Sequence, residues 1–284
     1  MIEEETASNY VVFDLETTGF SPANDCIIEI SALKCENDEI IDRYVTFVNP
    51  CIPIPSKITK LTGITDDDVC GAPQIDSVIE KLASFIDGYP LVAHNASFDV
   101  GFIEMALIRA GIVVQAKYID TLGMARDAFP RMENHKLATL IDELELLGHR
   151  QTHRAEDDTE ATYRLYLVCK EKLTAKRQRA RKKQLKEIEK AEGDNKAYLL
   201  NLLAIDLEAE NDIDGAIENY LKAIDAGFNG MYPYQRIAII YRKQKRYEDE
   251  VAICDRALAE LSRDDELAEI AHRKEYAMKK LCPI

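Results

Sequence analysis

The sequence offers no stretch near the roughly 18 consecutive apolar residues that a membrane span needs. It has seven cysteines, an odd number, with no C-x-x-C pair among them and no histidine at zinc-ligand spacing. A disulfide framework and a structural zinc site are therefore excluded as organising elements, and reduced cytosolic thiols are expected. Cys26, Cys35 and Cys169 read as small core residues. Met1 is followed by Glu3-Glu4-Glu5 and not by a basic segment and an apolar stretch, so no secretory leader is expected. The expectation is a cytoplasmic protein without a membrane partner. At 284 residues it is long for one domain and comfortable for two.

Basic excess is also missing. The chain holds 36 Lys+Arg against 51 Asp+Glu, a net charge of −15. The imbalance is uneven. Residues 1–169 hold 13 basic against 29 acidic residues, net −16. Residues 170–190 hold 10 against 3, net +7. Residues 191–284 hold 13 against 19, net −6. An acidic N-terminal part repels phosphates at long range, and bound divalent cations would offset this locally.

Against that background one constellation stands out. Asp14-Leu15-Glu16-Thr17-Thr18-Gly19-Phe20 follows the apolar run Tyr10-Val11-Val12-Phe13. Side chains at i and i+2 of a strand leave the same face. Asp14 and Glu16 therefore converge and repel, and a hard divalent cation is the natural mediator. Alone, the pair reads as a strand ending in a solvated acidic turn. More acids follow. Pro90-Leu91-Val92-Ala93 leads into His94-Asn95-Ala96-Ser97-Phe98-Asp99, and His153-Arg154-Ala155-Glu156-Asp157-Asp158 opens a helical segment.

These three segments, in this order, resemble the three motifs of the DnaQ-like 3′–5′ exonucleases of the DEDDh branch, which includes the proofreading exonuclease of bacterial DNA polymerase III. The motifs are D-x-E-T-T-G, H-N-x-x-F-D and H-x-x-x-x-D, and the resemblance covers roughly residues 8 to 170. It implies two divalent cations, Mg²⁺ or Mn²⁺, at a site built from Asp14, Glu16, Asp99 and Asp158, with Asp14 bridging both ions. It implies His153 as general base, a task suited to a near-neutral pKa. Asp158 has the four-residue gap from His153 that the third motif requires, so Asp157 is left as a surface residue. Thr17, Thr18 and Phe20 are expected near the terminal nucleotide, and His94 and Asn95 near phosphate. Phe98 is expected either to stack on a base or to plug the core. The implied activity is release of nucleoside monophosphates from single-stranded or frayed 3′ ends. Two other readings stay open: an exoribonuclease trimming RNA 3′ ends, and an interaction protein using an exonuclease-like domain as scaffold.

The expected fold class is α/β, a ribonuclease H-like mixed sheet flanked by helices, followed by an all-α helical-repeat domain. Tyr10–Phe13, Cys26–Leu33 and Ile40–Val48 read as consecutive strands, Leu91–Ala93 and Val113–Ile119 as later ones. Ser56–Ile64 reads as a short helix closed by Gly63. Thr65-Asp66-Asp67-Asp68 reads as a helix N-terminus, its acids neutralising the dipole and not binding metal. Helices are expected over Ile75–Ile86, Phe98–Ala110, Leu137–Leu147 and from Ala155 onward. Residues 170–190 lack Gly and Pro and should continue that last helix. They form either a phosphate-contacting arm or a solvated connector.

The C-terminal third repeats with a 34-residue shift. Leu200, Leu203, Ala204, Leu207, Ala216, Tyr220 and Ala223 correspond to Tyr234, Ile237, Ala238, Tyr241, Glu250, Cys254 and Ala257. The period and the small residues resemble tetratricopeptide repeats, with Glu250 a departure where a small residue is favoured. The expected organisation is an exonuclease domain at 1–169, a basic helical linker at 170–192 and repeats at 193–284. The repeats offer a scaffold or a protein-docking surface.

Overall fold

A computed structural model describes residues 7–115, 117–147 and 154–281. The chain divides into two compact units after Lys176.

The first unit is built on five strands: β1 (Tyr10–Thr17), β2 (Ile27–Glu36), β3 (Glu39–Phe47), β4 (Leu91–Ala93) and β5 (Tyr118–Asp120). Their order is β3-β2-β1-β4-β5. The first three form an antiparallel meander, whereas β1–β4 and β4–β5 pair parallel. Asn37 and Asp38 turn β2 into β3 with φ of 52° and 65°, the left-handed pair that a two-residue hairpin needs. Helices α1 (Ser56–Thr62), α2 (Asp66–Val69), α3 (Ile75–Ile86), α4 (Ser97–Ala110), α5 (Thr121–Ala128) and α6 (Leu137–Glu143) follow in turn, and α7 runs from Ala155 to Lys190.

The two faces of the sheet carry separate cores, and β1 supplies both by strict alternation. Val11, Phe13 and Leu15 pack with α3 and α4 residues such as Ile79, Leu82, Phe102 and Ile103. Tyr10 and Val12 pack on the other side with Ala161, Leu165, Tyr166 and Cys169 of α7. A period of two then places Asp14 and Glu16 on the α7 side, at the end of the strand. Because β1 and β4 are parallel, the chain leaves both strands at one edge, where the segment from His94 to Asp99 begins. Open α/β sheets bind ligands at this carboxyl edge.

Two expected elements are shorter than their sequence suggested. The strand expected over Val113–Ile119 reduces to Tyr118–Asp120, because its neighbour β4 has only three residues to pair with. Val113 is exposed. Helix α6 stops at Glu143, and Glu145 follows at φ 52°. The Asp66-Asp67-Asp68 run does begin a helix. The Asp68 carboxylate accepts both the Thr65 N–H (2.8 Å) and its hydroxyl (2.6 Å), and Asp66 accepts from Ile54 N–H at 2.8 Å.

The second unit is helical: the end of α7, then α8 (Gly193–Ala209), α9 (Ile213–Asp225), α10 (Tyr232–Lys243), α11 (Tyr247–Glu260) and α12 (Asp264–Leu281). Ala204, Ala216, Ala223, Ala238 and Ala257 are all buried in its core, where small residues let the helix backbones approach. Glu250 is also fully buried. Its Oε1 accepts from Arg242, which donates in addition to the Arg273 carbonyl and lies over the Tyr276 ring. The charge that departs from the repeat pattern thus ties α10, α11 and α12 together. Among the described residues, no helix is long and apolar enough to cross a membrane.

Candidate active site

Asp14 and Glu16 emerge half-buried from β1, and Asp158 faces them from the first turn of α7. Asp158, Ala161, Thr162, Leu165 and Cys169 share one helix face, so the packing of α7 on the sheet carries Asp158 to the strand end. One carboxylate oxygen from each of Asp14, Glu16 and Asp158 lies within 4.8 Å of the other two. Asp99, in the first turn of α4, is 4% exposed, and its Oδ1 accepts the Leu15 N–H at 3.2 Å. The second motif is thereby fastened to the strand of the first. His153 lies outside the described residues.

The electrostatics follow from this crowding. Burial, then the charges of Asp99, Asp158 and Glu16, pushes the Asp14 carboxyl well above the usual range. Burial first and Asp158 next push Glu16 up to about 8, with Arg154 opposing. Burial raises Asp99 to about 7, against the stabilising backbone N–H groups it accepts. Folding has gathered anions faster than it has supplied cations. An all-oxygen donor set with this deficit of positive charge fits a hard divalent ion.

Glu29 and Arg154 complete the arrangement, and sequence reasoning passed over both. Glu29 stands directly across from Glu16 in the β1–β2 ladder, 2% exposed. Arg154 donates to it from two nitrogens (2.7 and 3.3 Å), and the Ala155 N–H from α7 adds a third bond at 3.3 Å. The available signal was an acid in the middle of the apolar strand Ile27–Leu33, because a buried carboxylate needs a partner. The ladder slips by one residue between Glu16 and Thr17, a bulge beside the site.

The expected substrate contacts are distributed unequally. Thr17 and Thr18 are buried. The Thr17 hydroxyl donates to the Gly19 carbonyl (2.6 Å), and the Thr18 hydroxyl accepts the Cys26 N–H (2.9 Å). Their side chains shape the loop after β1. A Cβ on Gly19 would stand 2.4 Å from the Asp25 carboxylate, which itself accepts the Ser21 N–H at 2.8 Å. Phe20 is 73% exposed at this loop, its ring 6.3 Å from that of Phe98, which also contacts Phe102 at 5.1 Å. Both His94 ring nitrogens are engaged, Nδ1 with the Thr121 hydroxyl (3.0 Å) and Nε2 with the His135 carbonyl (2.9 Å). Burial lowers its pKa, so the neutral ring is favoured. Asn95 is exposed at φ 64°. One oxygen of Asp120 accepts the N–H groups of Asn95 (2.9 Å), Ala96 (3.4 Å) and Leu122 (2.9 Å), and so joins the end of β5 to the second motif.

Comparison with known proteins places this geometry. A segment of the PolC-type DNA polymerase III of Caldanaerobacter subterraneus is 46% identical over 173 residues, and one from Bacillus subtilis is 47% identical over 174. Each match takes in 60% of this chain but only 12% of the polymerase. A solved structure of exonuclease I superimposes with a TM-score of 0.52 at 18% identity, over 58% of this chain and 41% of that one. A product-bound exonuclease I gives 0.50 at 18%, over 57% and 43%. The likeness to exonuclease I is one of fold, the ribonuclease H-like mixed sheet with flanking helices. The exonuclease family model of the RNase T class matches residues 11–166, more than half of the sequence and all three motifs, and the chain belongs to that family.

Proposed function

We propose that this protein is a metal-dependent 3′–5′ exonuclease that releases nucleoside monophosphates from single-stranded or frayed DNA 3′ ends. The observation that carries the reading is the convergence of Asp14, Glu16 and Asp158 oxygens within 4.8 Å at the end of the central strand. DNA is preferred because the 46–47% identical relatives are segments of DNA polymerases.

Asp14, Glu16 and Asp158 hold Mg²⁺ or Mn²⁺, two ions in the complete site, and Asp99 borders them through its fixed carboxylate. When bound, the ions supply positive charge to the scissile phosphate and to the leaving oxygen. His153 accepts the proton of the attacking water, and Arg154, next to it in sequence, is paired with Glu29. Phe20 and Phe98 present an apolar surface to the terminal base, and Asn95 lies at the rim for the phosphate. Such contacts read little sequence, so selectivity among bases is weak.

The exonuclease domain is assigned to residues 1–169, a basic linker to 170–192, and two tetratricopeptide-like repeats with a final helix to 193–284. The buried small residues of α8–α11 support a repeat unit, which serves as a scaffold or as a protein-docking surface.

Matched 3′-labelled DNA and RNA single strands, digested in parallel with Mg²⁺ or Mn²⁺, test the reading. Mononucleotide release from DNA is expected. Faster release from RNA would transfer the protein to RNA trimming, and no release from either would defeat the nuclease assignment. His153→Ala should lower turnover by roughly 10²–10⁴-fold.

A further inference from the structure

The basic segment has two faces of opposite use. At about 100° per residue, Arg179, Lys182, Lys183, Lys186 and Lys190 fall within roughly a 100° wedge of α7. All five are exposed. Arg181, Gln184 and Ile188 lie on the opposite side. Ile188 is buried in the C-terminal core, Arg181 pairs with Glu210 at 3.1 Å, and Gln184 donates to Asp206 at 2.9 Å. The docked face therefore spends one cation on the helical unit. On the other face, among the described residues, the one ion pair is Lys183 with Glu187 at 3.7 Å, both well exposed. This occurs in a chain whose remainder carries net −22 against +7 for residues 170–190. Acidic partners are abundant, yet these cations are left facing solvent. The catalytic unit is itself acidic and gives a polyanion no long-range attraction, so any such attraction has to arise elsewhere.

From this we propose that the exposed basic face of α7, formed by Arg179, Lys182, Lys183, Lys186 and Lys190, binds the phosphate backbone of single-stranded DNA independently of its sequence and of its 3′ end. The proposal rests on the nuclease reading for its choice of polyanion. Lysine and arginine on one exposed helix face suit a backbone that presents phosphates and no fixed base geometry.

A labelled circular single-stranded oligonucleotide tests it on the full chain with Mg²⁺, because a circle has no end to digest. Binding is followed by anisotropy as salt is raised. The variant R179A/K182A/K183A/K186A keeps helix-favouring residues at exposed positions. Each lost phosphate contact removes about 0.7 from the slope of log affinity against log salt, so about 3 is expected for four. Affinity at low salt should fall at least about tenfold by the same relation, while hydrolysis of a chromogenic nucleotide phosphodiester stays unchanged. The milder K182Q/K186Q variant should lose about 1.4 of slope, and K182R/K183R/K186R should lose none. Superimposable salt titrations for the wild type and the alanine variant, or no salt-dependent binding by the wild type, overturn the proposal. A wild type that hydrolyses neither strand nor ester defeats the nuclease reading, while the slope still decides this one.

Discussion

Arg154 holds Glu29 by two nitrogens across the first turn of the helix that carries Asp158. The pair does two things at once. It gives a buried carboxylate, opposite Glu16, a cation of its own beside an already crowded acidic cluster. It also fastens the start of α7 to β2, since the Ala155 N–H donates to the same Glu29 side chain. One turn later the Thr159 hydroxyl, which donates to the Ala155 carbonyl, also lies 3.4 Å from the Ser31 carbonyl.

Arg154→Ala should therefore destabilise the protein by about 1–3 kcal/mol, because Glu29 stays buried without its partner. The half-exposed guanidinium keeps the cost below the roughly 3–5 kcal/mol of a fully buried pair. Urea unfolding measures it. Adding Glu29→Gln should recover part of the loss, since a neutral amide needs no cation. Strictly additive single and double variants would mean that the pair contributes no coupling.

Thermal stability of the metal-free protein should fall as pH rises. Glu16 and Asp99 have folded-state pKa values near 8 and 7, above ordinary values of 4.5 and 3.8. The native state then binds more protons than the unfolded chain across this window. Stability is full below the ordinary values and is lost as pH climbs through 7 to 8. Saturating Mg²⁺ should flatten the slope by replacing protons as the compensating charge. Melting curves in EDTA and in Mg²⁺ check this, and identical pH slopes would remove the basis for a cation site.

Asp14→Ala should abolish strand hydrolysis and leave folding intact. In EDTA its melting temperature should equal or exceed that of the wild type, because one member of a like-charged, buried group is gone. The stabilisation conferred by Mg²⁺ should shrink with it. Near-wild-type hydrolysis by this variant would falsify the ligand assignment.

Phe20→Ala should separate binding from stability. The ring is mostly exposed, so the melting temperature should hardly change. Loss of a stacking surface should raise KM for a single strand by the equivalent of about 1–3 kcal/mol. Phe98→Ala, by contrast, should also lower the melting temperature, since that ring touches Phe102 and the sheet core.

The acidic strand end was legible because period-two geometry acts on neighbours: Asp14 and Glu16 had to share a face wherever β1 went. Asp158 was legible through its spacing within a motif. Glu29 and Arg154 were not, since their meeting depends on α7 crossing β2, a contact 125 residues apart in sequence. His94 shows the same limit. Its place in the motif suggested phosphate, but Thr121 and His135, distant in sequence, occupy both of its nitrogens. The strand expected over Val113–Ile119 failed for a related reason. Its apolar residues satisfied the local pattern, but strand length is fixed by the partner, and β4 is short.

The central position of β1 has a consequence for how the site breathes. Its whole length pairs with β2, and Val11 and Val12 pair with β4 as well, so its hydrogens should exchange slowly with solvent. Asp14 and Glu16 ride on this central strand. Asp158 rides on the first turn of a helix, where fraying is local and the tether is an arginine half open to water. The acidic centre thus joins a strand held by backbone ladders to a helix start held on β2 largely by side-chain contacts, and hydrogen exchange around Ala155–Thr159 should be faster than in the strand.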